Sequence, residues 1–289
     1  MTLADKFDEL NSRREKALIG FITAGYPDAD ATPKIAGALM RGGVDILELG
    51  LPFSDPIADG VTIQRASERS LRAGMNPDAY FDVASAIKGV EKVCLTYYNL
   101  ILQRGLEQFV NDCESAGISG IIVPDLPVEE SEPLLNVCSR YETDLIFLIA
   151  PTTTEKRMVK ILHAAAGFIY VVSLLGVTGA RERLSDAIAP LISRIREQKS
   201  AMKITVPLAV GFGISKPEHV RTVCQLADGA IVGSAIIRMI EEGGGSGKNL
   251  MQKLEDFVKS LKAATVVRTT HMQVGELPSS SRIQNRNHR

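Results

Sequence analysis

The sequence predicts a single (β/α)8 TIM barrel carrying an extra N-terminal helix and a short helix after the eighth strand. Three observations point there. Eight short aliphatic or β-branched runs alternate with longer segments of helical period. The repeat is about 31 residues, the size of one strand-plus-helix step. The first strand is not followed by the GxGxxG turn that opens a dinucleotide-binding sheet. An open doubly wound sheet also alternates strand and helix, and the count of eight favours the barrel over it.

The elements follow in order. Leu3, Phe7 and Leu10 share one face of a short amphipathic helix ahead of the first strand. Strands are expected at Leu18 to Thr23, Ile46 to Leu49, Val93 to Tyr97, Gly120 to Val123, Asp144 to Ile149, Phe168 to Val172, Pro207 to Val210 and Gly229 to Val232. Glu129, Glu130 and Glu132 put negative charge at the start of the helix after the fourth strand, where the helix dipole favours it. Ile188, Leu191, Ile192 and Ile195 mark the buried stripe of a later helix, as do Leu250, Leu254, Phe257, Val258 and Leu261 near the end. Ser215-Lys216-Pro217-Glu218 reads as a capping box with proline in the first turn. The barrel is expected to occupy residues 1–264 as one domain. Residues 265–289 hold four Arg, one Glu and a Pro-Ser-Ser-Ser run without apolar period, and read as a disordered tail or a segment foreign to the fold.

Composition narrows the function. With 45% hydrophobic and 23% charged residues the chain has the make-up of a folded protein. Lys+Arg number 33 and Asp+Glu 34, a formal net charge of -1, which gives no electrostatic case for nucleic acid or an anionic membrane. Apolar runs such as Phe168 to Val172 are strand-sized, well short of the roughly 20 residues of a spanning helix. The N-terminal residues mix charge signs and lack the apolar stretch of a secretion signal. Cys94, Cys113, Cys138 and Cys224 form no CxxC pair and read as small core residues in a reducing compartment, so a cytoplasmic protein is expected.

Chemistry on a barrel belongs at the C-terminal ends of the strands. Glu48 is a carboxylate inside an aliphatic strand, which needs either a buried cationic partner or a function. No strand core is expected to carry a lysine or arginine, which favours function. Asp59 closes the loop that follows, although an Asp-Gly pair is also a common turn. Glycines gather late: Gly176-Val177-Thr178-Gly179 after the sixth strand, Gly211-Phe212-Gly213 after the seventh, and Gly233-Ser234 opening a helix after the eighth. Such glycines let backbone N–H groups approach an anion, and a phosphate cradle at this place recurs on barrels. His163 and His219 fall on helices and His271 and His288 in the tail, so no histidine metal site is expected. No lysine lies at the end of strand six for imine chemistry. A phosphorylated substrate and carboxylate acid/base work remain.

At these residues the sequence resembles the tryptophan synthase α subunit family. The resemblance lies in Leu47-Glu48-Leu49-Gly50-Leu51-Pro52-Phe53-Ser54-Asp55-Pro56-Ile57-Ala58-Asp59-Gly60. Pro124-Asp125-Leu126-Pro127, the glycine segments and Gly211-Phe212-Gly213-Ile214-Ser215 match in order, and the likeness runs from about Leu3 to Ala264. It implies a carbon-carbon lyase of tryptophan biosynthesis that cleaves indole-3-glycerol phosphate to indole and glyceraldehyde 3-phosphate by a retro-aldol step. It carries over Glu48 as the acid/base residue and Asp59 as the carboxylate holding the indole N–H. Phe21 and Tyr170 then fall at the indole, and Thr178, Gly179, Gly211, Gly213, Gly233 and Ser234 at the substrate and its phosphate. No cofactor or metal is implied in this chain. Pyridoxal phosphate is expected only in a β-subunit partner, within an α2β2 heterotetramer. Val61 stands where the family often has proline. Two alternatives remain at this point: another phosphate-binding barrel, such as an isomerase or an indole-forming synthase, and a non-catalytic subunit that has kept the fold.

Overall fold

In the computed structural model, strand residues sort by alternation into two sets, one filling the barrel and one facing the helices. The structure describes residues 2–172, 181–211, 213–244 and 247–267, with side chains from 188 onward in the helix that begins at 181. The first half runs α1 (Leu3–Ser12), β1 (Ala17–Thr23), α2 (Ala31–Gly42), β2 (Ile46–Gly50), α3 (Val61–Arg72), α4 (Pro77–Ala86), β3 (Glu91–Leu95), α5 (Tyr98–Arg104), α6 (Leu106–Ser115) and β4 (Ile118–Ile122). A 3-10 turn at Val128–Glu130 leads to α7 (Glu132–Arg140), β5 (Asp144–Ile146), β6 (Leu148–Ile149), α8 (Glu155–Ala164) and β7 (Ile169–Val172). The chain ends through α9 (Arg181–Met202), β8 (Leu208–Gly211), α10 (Pro217–Leu226), β9 (Gly229–Val232), α11 (Ser234–Glu242) and α12 (Lys248–Lys262).

All the ladders are parallel, in the order β5-β4-β3-β2-β1-β9-β8-β7-β6. The two edge strands are halves of one run, interrupted at Phe147. β5 pairs with β4 and β6 with β7, while the Tyr170 N–H donates to the Phe147 carbonyl at 3.0 Å. The nine segments are therefore eight barrel strands, and the sheet closes through the broken fifth.

The inner set is Ala17, Ile19, Ile46, Val93, Ile122, Ile146, Phe168, Tyr170, Ala209 and Ile231. Leu3, Phe7 and Leu10 join it, so α1 stoppers the N-terminal end of the barrel, with Phe7 and Phe168 ring centroids 5.8 Å apart. The entry of α1 is fixed by a capping box in which Thr2 and Asp5 satisfy each other's backbone N–H groups. The bottom is thus closed by apolar packing, and only the C-terminal mouth is left for chemistry.

The position of β3 and the start of α10 differ from the sequence expectation. β3 lies two residues earlier than expected, at Glu91–Leu95, and so contains Lys92. A base therefore does sit in a strand core. Its side chain points away from the barrel interior, and its ammonium donates to the carbonyls of Ala84, Ile87 and Ala116 at 2.7, 2.8 and 2.6 Å. Lys92 pairs with Leu47, one residue off Glu48, and so faces the opposite side of the sheet. The capping box expected at Ser215 is absent: Lys216 is the N-cap of α10 and makes no side-chain cap, because the chain is still extended there. The cysteines are all buried and unpaired. Beyond residue 264 the chain stays with the barrel through Val267. Thr265 accepts from the Lys16 N–H at 3.1 Å, and Val266 bridges Glu15. Residues 268–289 lie outside the described residues. Among the described residues no helix is long and apolar enough to cross a membrane.

Candidate active site

β2 is aliphatic except at Glu48, and alternation turns that side chain inward, paired with Phe21 on one side and Val93 on the other. Glu48 is 2% exposed, and its buried Oε2 makes no hydrogen bond. Burial, and secondarily the charge of Asp59, pushes its pKa up to about 8. At neutral pH Glu48 therefore carries its proton. Thr23, two residues beyond Phe21 on the same face, also has a buried hydroxyl without a partner. Buried polar atoms of this kind normally find partners in a folded protein, so their concentration at the mouth marks a site.

From Leu51 the chain leaves β2 in a loop that returns at Gly60, the N-cap of α3. The loop is shaped by its own backbone bonds, Ile57 N–H to Asp55 and Asp59 N–H to Pro56, at 2.9 and 3.0 Å. Gln64 on the first turn of α3 donates to the Asp59 carbonyl at 2.8 Å. Asp59 is half-buried, and the Tyr97 hydroxyl accepts the N–H of its neighbour Ala58 at 3.0 Å. Burial raises the Asp59 pKa to about 6, the Tyr97 hydroxyl opposing the rise. Two carboxyls thus sit near one another with proton affinities driven apart, Glu48 protonated and Asp59 ionised at neutral pH. That is how one site comes to hold both an acid and a fixed negative charge.

Tyr170 lies inward on β7, fully within the charge fields of Glu48 and Asp59, and burial together with those charges keeps its phenol protonated. Gly211 at the end of β8 makes room for it: a Cβ there would lie 2.5 Å from the Tyr170 hydroxyl. Gly233, the N-cap of α11, similarly allows Phe21 to stand close, since a Cβ would lie 3.2 Å from its ring. Gly213 has φ +74°, a backbone conformation that glycine adopts without strain. The N-terminus of α11 begins at Ser234 with no side-chain cap, leaving its first N–H groups for an anion.

Of the residues singled out in the sequence, Glu48, Asp59, Phe21 and Tyr170 converge on the mouth. Gly211 ends β8 and Gly213 follows it, while Gly233 and Ser234 open α11 directly after β9, the strand beside β1. Thr178 and Gly179 lie outside the described residues. Tyr97 is the functional residue the sequence misses: it reads as the last residue of the strand Val93 to Tyr97, whereas β3 has already ended at Leu95. Among the described residues no group of three or more His, Cys, Asp or Glu is placed to hold a metal ion.

Comparison with known proteins agrees along nearly the whole barrel. The family model described as tryptophan synthase alpha chain matches residues 7–266. The tryptophan synthase alpha chain of Methanocaldococcus jannaschii is 48% identical over 246 residues, covering 84% of this chain and 85% of the relative. That of Arabidopsis thaliana is 44% identical over 271 residues, covering 91% and 95%. Among solved structures, tryptophan synthase from M. tuberculosis in its open form superposes with TM-score 0.82 at 33% identity, covering 92% of this chain and 98% of that one. The alpha subunit from Legionella pneumophila gives 0.81 at 34% identity with the same coverage. A match over the strands, the mouth and the loop between Glu48 and Asp59 alike leaves one assignment: this chain belongs to the tryptophan synthase alpha chain family.

Proposed function

We propose that this chain cleaves indole-3-glycerol phosphate to indole and glyceraldehyde 3-phosphate, with Glu48 as proton donor and acceptor and Asp59 as the charge that steadies the ring nitrogen. The observation that carries the reading is the pair itself: a buried glutamic acid with an unpartnered oxygen beside an ionised aspartate. Indole is a poor carbanion leaving group, so C3 of the ring must be protonated before the carbon-carbon bond breaks. Glu48 gives that proton, and positive charge develops at the ring nitrogen, where the Asp59 carboxylate accepts the N–H. Glu48, now ionised, takes the proton from the hydroxyl on the glycerol carbon bonded to C3. The O–H pair becomes the aldehyde C=O, and the C–C pair returns to the ring as indole. The proton count on Glu48 is restored.

Phe21 and Tyr170 supply the walls for the indole. Gly211, Gly213, Gly233 and Ser234 supply close backbone approach and the helix N-terminus that suits a phosphate dianion. Thr178 and Gly179 belong to the same reading.

The partner in this reading is a pyridoxal-phosphate β subunit in an α2β2 assembly, which consumes the indole. Ile57 and Val61, 82% and 66% exposed, flank Asp59, and Leu102 on α5 is 53% exposed. Apolar side chains left in water around a catalytic loop support a covering surface. Cytoplasmic location fits the same reading.

The test is incubation of the purified chain with indole-3-glycerol phosphate, following both products. Equal amounts of indole and glyceraldehyde 3-phosphate are expected, at a rate raised tenfold or so (about 1.4 kcal/mol of barrier) by a cognate β subunit. Absence of either product with and without that subunit would sink the lyase reading. A flat titration would sink only the partner.

A further inference from the structure

The loop between Glu48 and Asp59 is held at both its ends by one side chain outside it. Tyr97 follows β3 and is 2% exposed. Its ring stacks on Phe53 near the start of the loop, with centroids 5.1 Å apart and planes 27° apart. Its hydroxyl oxygen accepts the Ala58 N–H at 3.0 Å, one residue before Asp59, and the same hydroxyl opposes the upward push of burial on the Asp59 pKa.

The proton arithmetic of a phenol fixes the direction of each bond. A phenol has one hydrogen and can also accept. The backbone N–H of Ala58 can only donate, so the oxygen accepts from it and the hydroxyl hydrogen is left for the Asp59 carboxylate. The reverse pattern would need Asp59 protonated, and with a pKa of about 6 Asp59 is ionised at neutral pH.

We propose that Tyr97 is the positioning residue for Asp59, clamping the loop through Phe53 and Ala58 and leaving its hydroxyl hydrogen for the carboxylate. This rests on the reading of Asp59 as the carboxylate that meets the indole N–H. The groups that face Asp59 are Tyr97 from the end of β3, Glu48 from β2 and Tyr170 from β7. Of these, Tyr97 alone favours its charged form, since Glu48 opposes a second negative charge once ionised. The clamp also belongs to the chain itself, so part of the loop's order exists before any partner arrives.

Tyr97→Phe separates the hydroxyl from the ring, because the phenyl still stacks on Phe53. Its kcat is expected to fall about tenfold with a smaller change in KM, and the acidic limb of its pH–rate profile to move up by about one unit. Phe53→Leu, which loosens the stack and leaves the hydroxyl, is expected to leave that limb in place. Asp59→Asn is the control for the underlying reading, with a loss of at least about a hundredfold expected. If Asp59→Asn is impaired to that degree while Tyr97→Phe keeps the wild-type limb and kcat, the positioning role is overturned and the reading of Asp59 stands. If Asp59→Asn retains wild-type turnover, both fall. A Tyr97→Phe chain with lowered thermal stability but an unmoved acidic limb would reduce Tyr97 to a structural residue and overturn the proposal.

Discussion

Phe21 on β1 and Glu48 on β2 are direct partners across the parallel ladder, so an aromatic ring and a carboxyl share one level of the barrel mouth. Val93 flanks the other side. Water is thereby kept from Glu48, and its pKa of about 8, against an ordinary 4.5, follows from that exclusion more than from any neighbour's charge.

Replacing Glu48 with Gln keeps the shape and removes the proton. Turnover is expected to fall at least about a hundredfold with substrate binding largely kept. The fold should respond in the opposite sense. A carboxyl whose native pKa is raised stabilises the fold below its unfolded value and loses that contribution as pH climbs from about 4.5 to about 8. Glu48→Gln is therefore expected to gain stability relative to the parent chain across this interval. Urea unfolding at both ends checks it, and an unchanged difference would contradict the burial argument.

Asp59 contributes the second, smaller push on Glu48. In Asp59→Asn the Glu48 midpoint should drop below about 8 yet remain above its ordinary value, since burial persists. Infrared titration of the protonated carboxyl band reads this directly. A midpoint that does not move would show that the two groups are not coupled.

Gly233→Ala sets a methyl 3.2 Å from the Phe21 ring and 3.3 Å from its Cβ. The ring must shift, so indole as well as the phosphorylated substrate is expected to bind several-fold more weakly (about 1 kcal/mol). Equilibrium titration with indole alone checks the claim. Indole affinity equal to the parent chain's would confine Gly233 to the phosphate.

Much of this arrangement was legible before the structure. β9 occupies the expected Gly229 to Val232, and the buried stripes of α9 and α12 fall on Ile188, Leu191, Ile192, Ile195 and on Leu250, Leu254, Val258, Leu261. These succeed because apolar period and burial coincide. β3 was misplaced because its first residues, Glu91 and Lys92, are charged, and period alone cannot tell that a lysine is capping three carbonyls behind the sheet. The break at Phe147 has no local signal, since it arises from barrel closure. Glu48 was legible as an anomaly in an aliphatic strand. Tyr97 was not, because its role depends on two loops meeting 39 residues apart in sequence.

Lys92 carries the next expectation. Its removal in Lys92→Met would leave the carbonyls of Ala84, Ile87 and Ala116 without their donor in a buried layer. A loss of about 2–4 kcal/mol is expected, seen as a lower urea midpoint with an unchanged slope. Activity of the remaining folded protein should be retained, because the side chain faces away from the mouth. Loss of turnover at full stability would place Lys92 in the chemistry after all.

The central claim is that one proton is divided unequally between two carboxyls, on Glu48 and off Asp59, in the active enzyme. The pH dependence of kcat/KM for indole-3-glycerol phosphate cleavage reports those groups in the free protein. A bell is expected, rising near the value of about 6 set at Asp59 and falling near the value of about 8 set at Glu48. A rate that keeps climbing beyond about pH 9, as a purely basic glutamate would give, would contradict it.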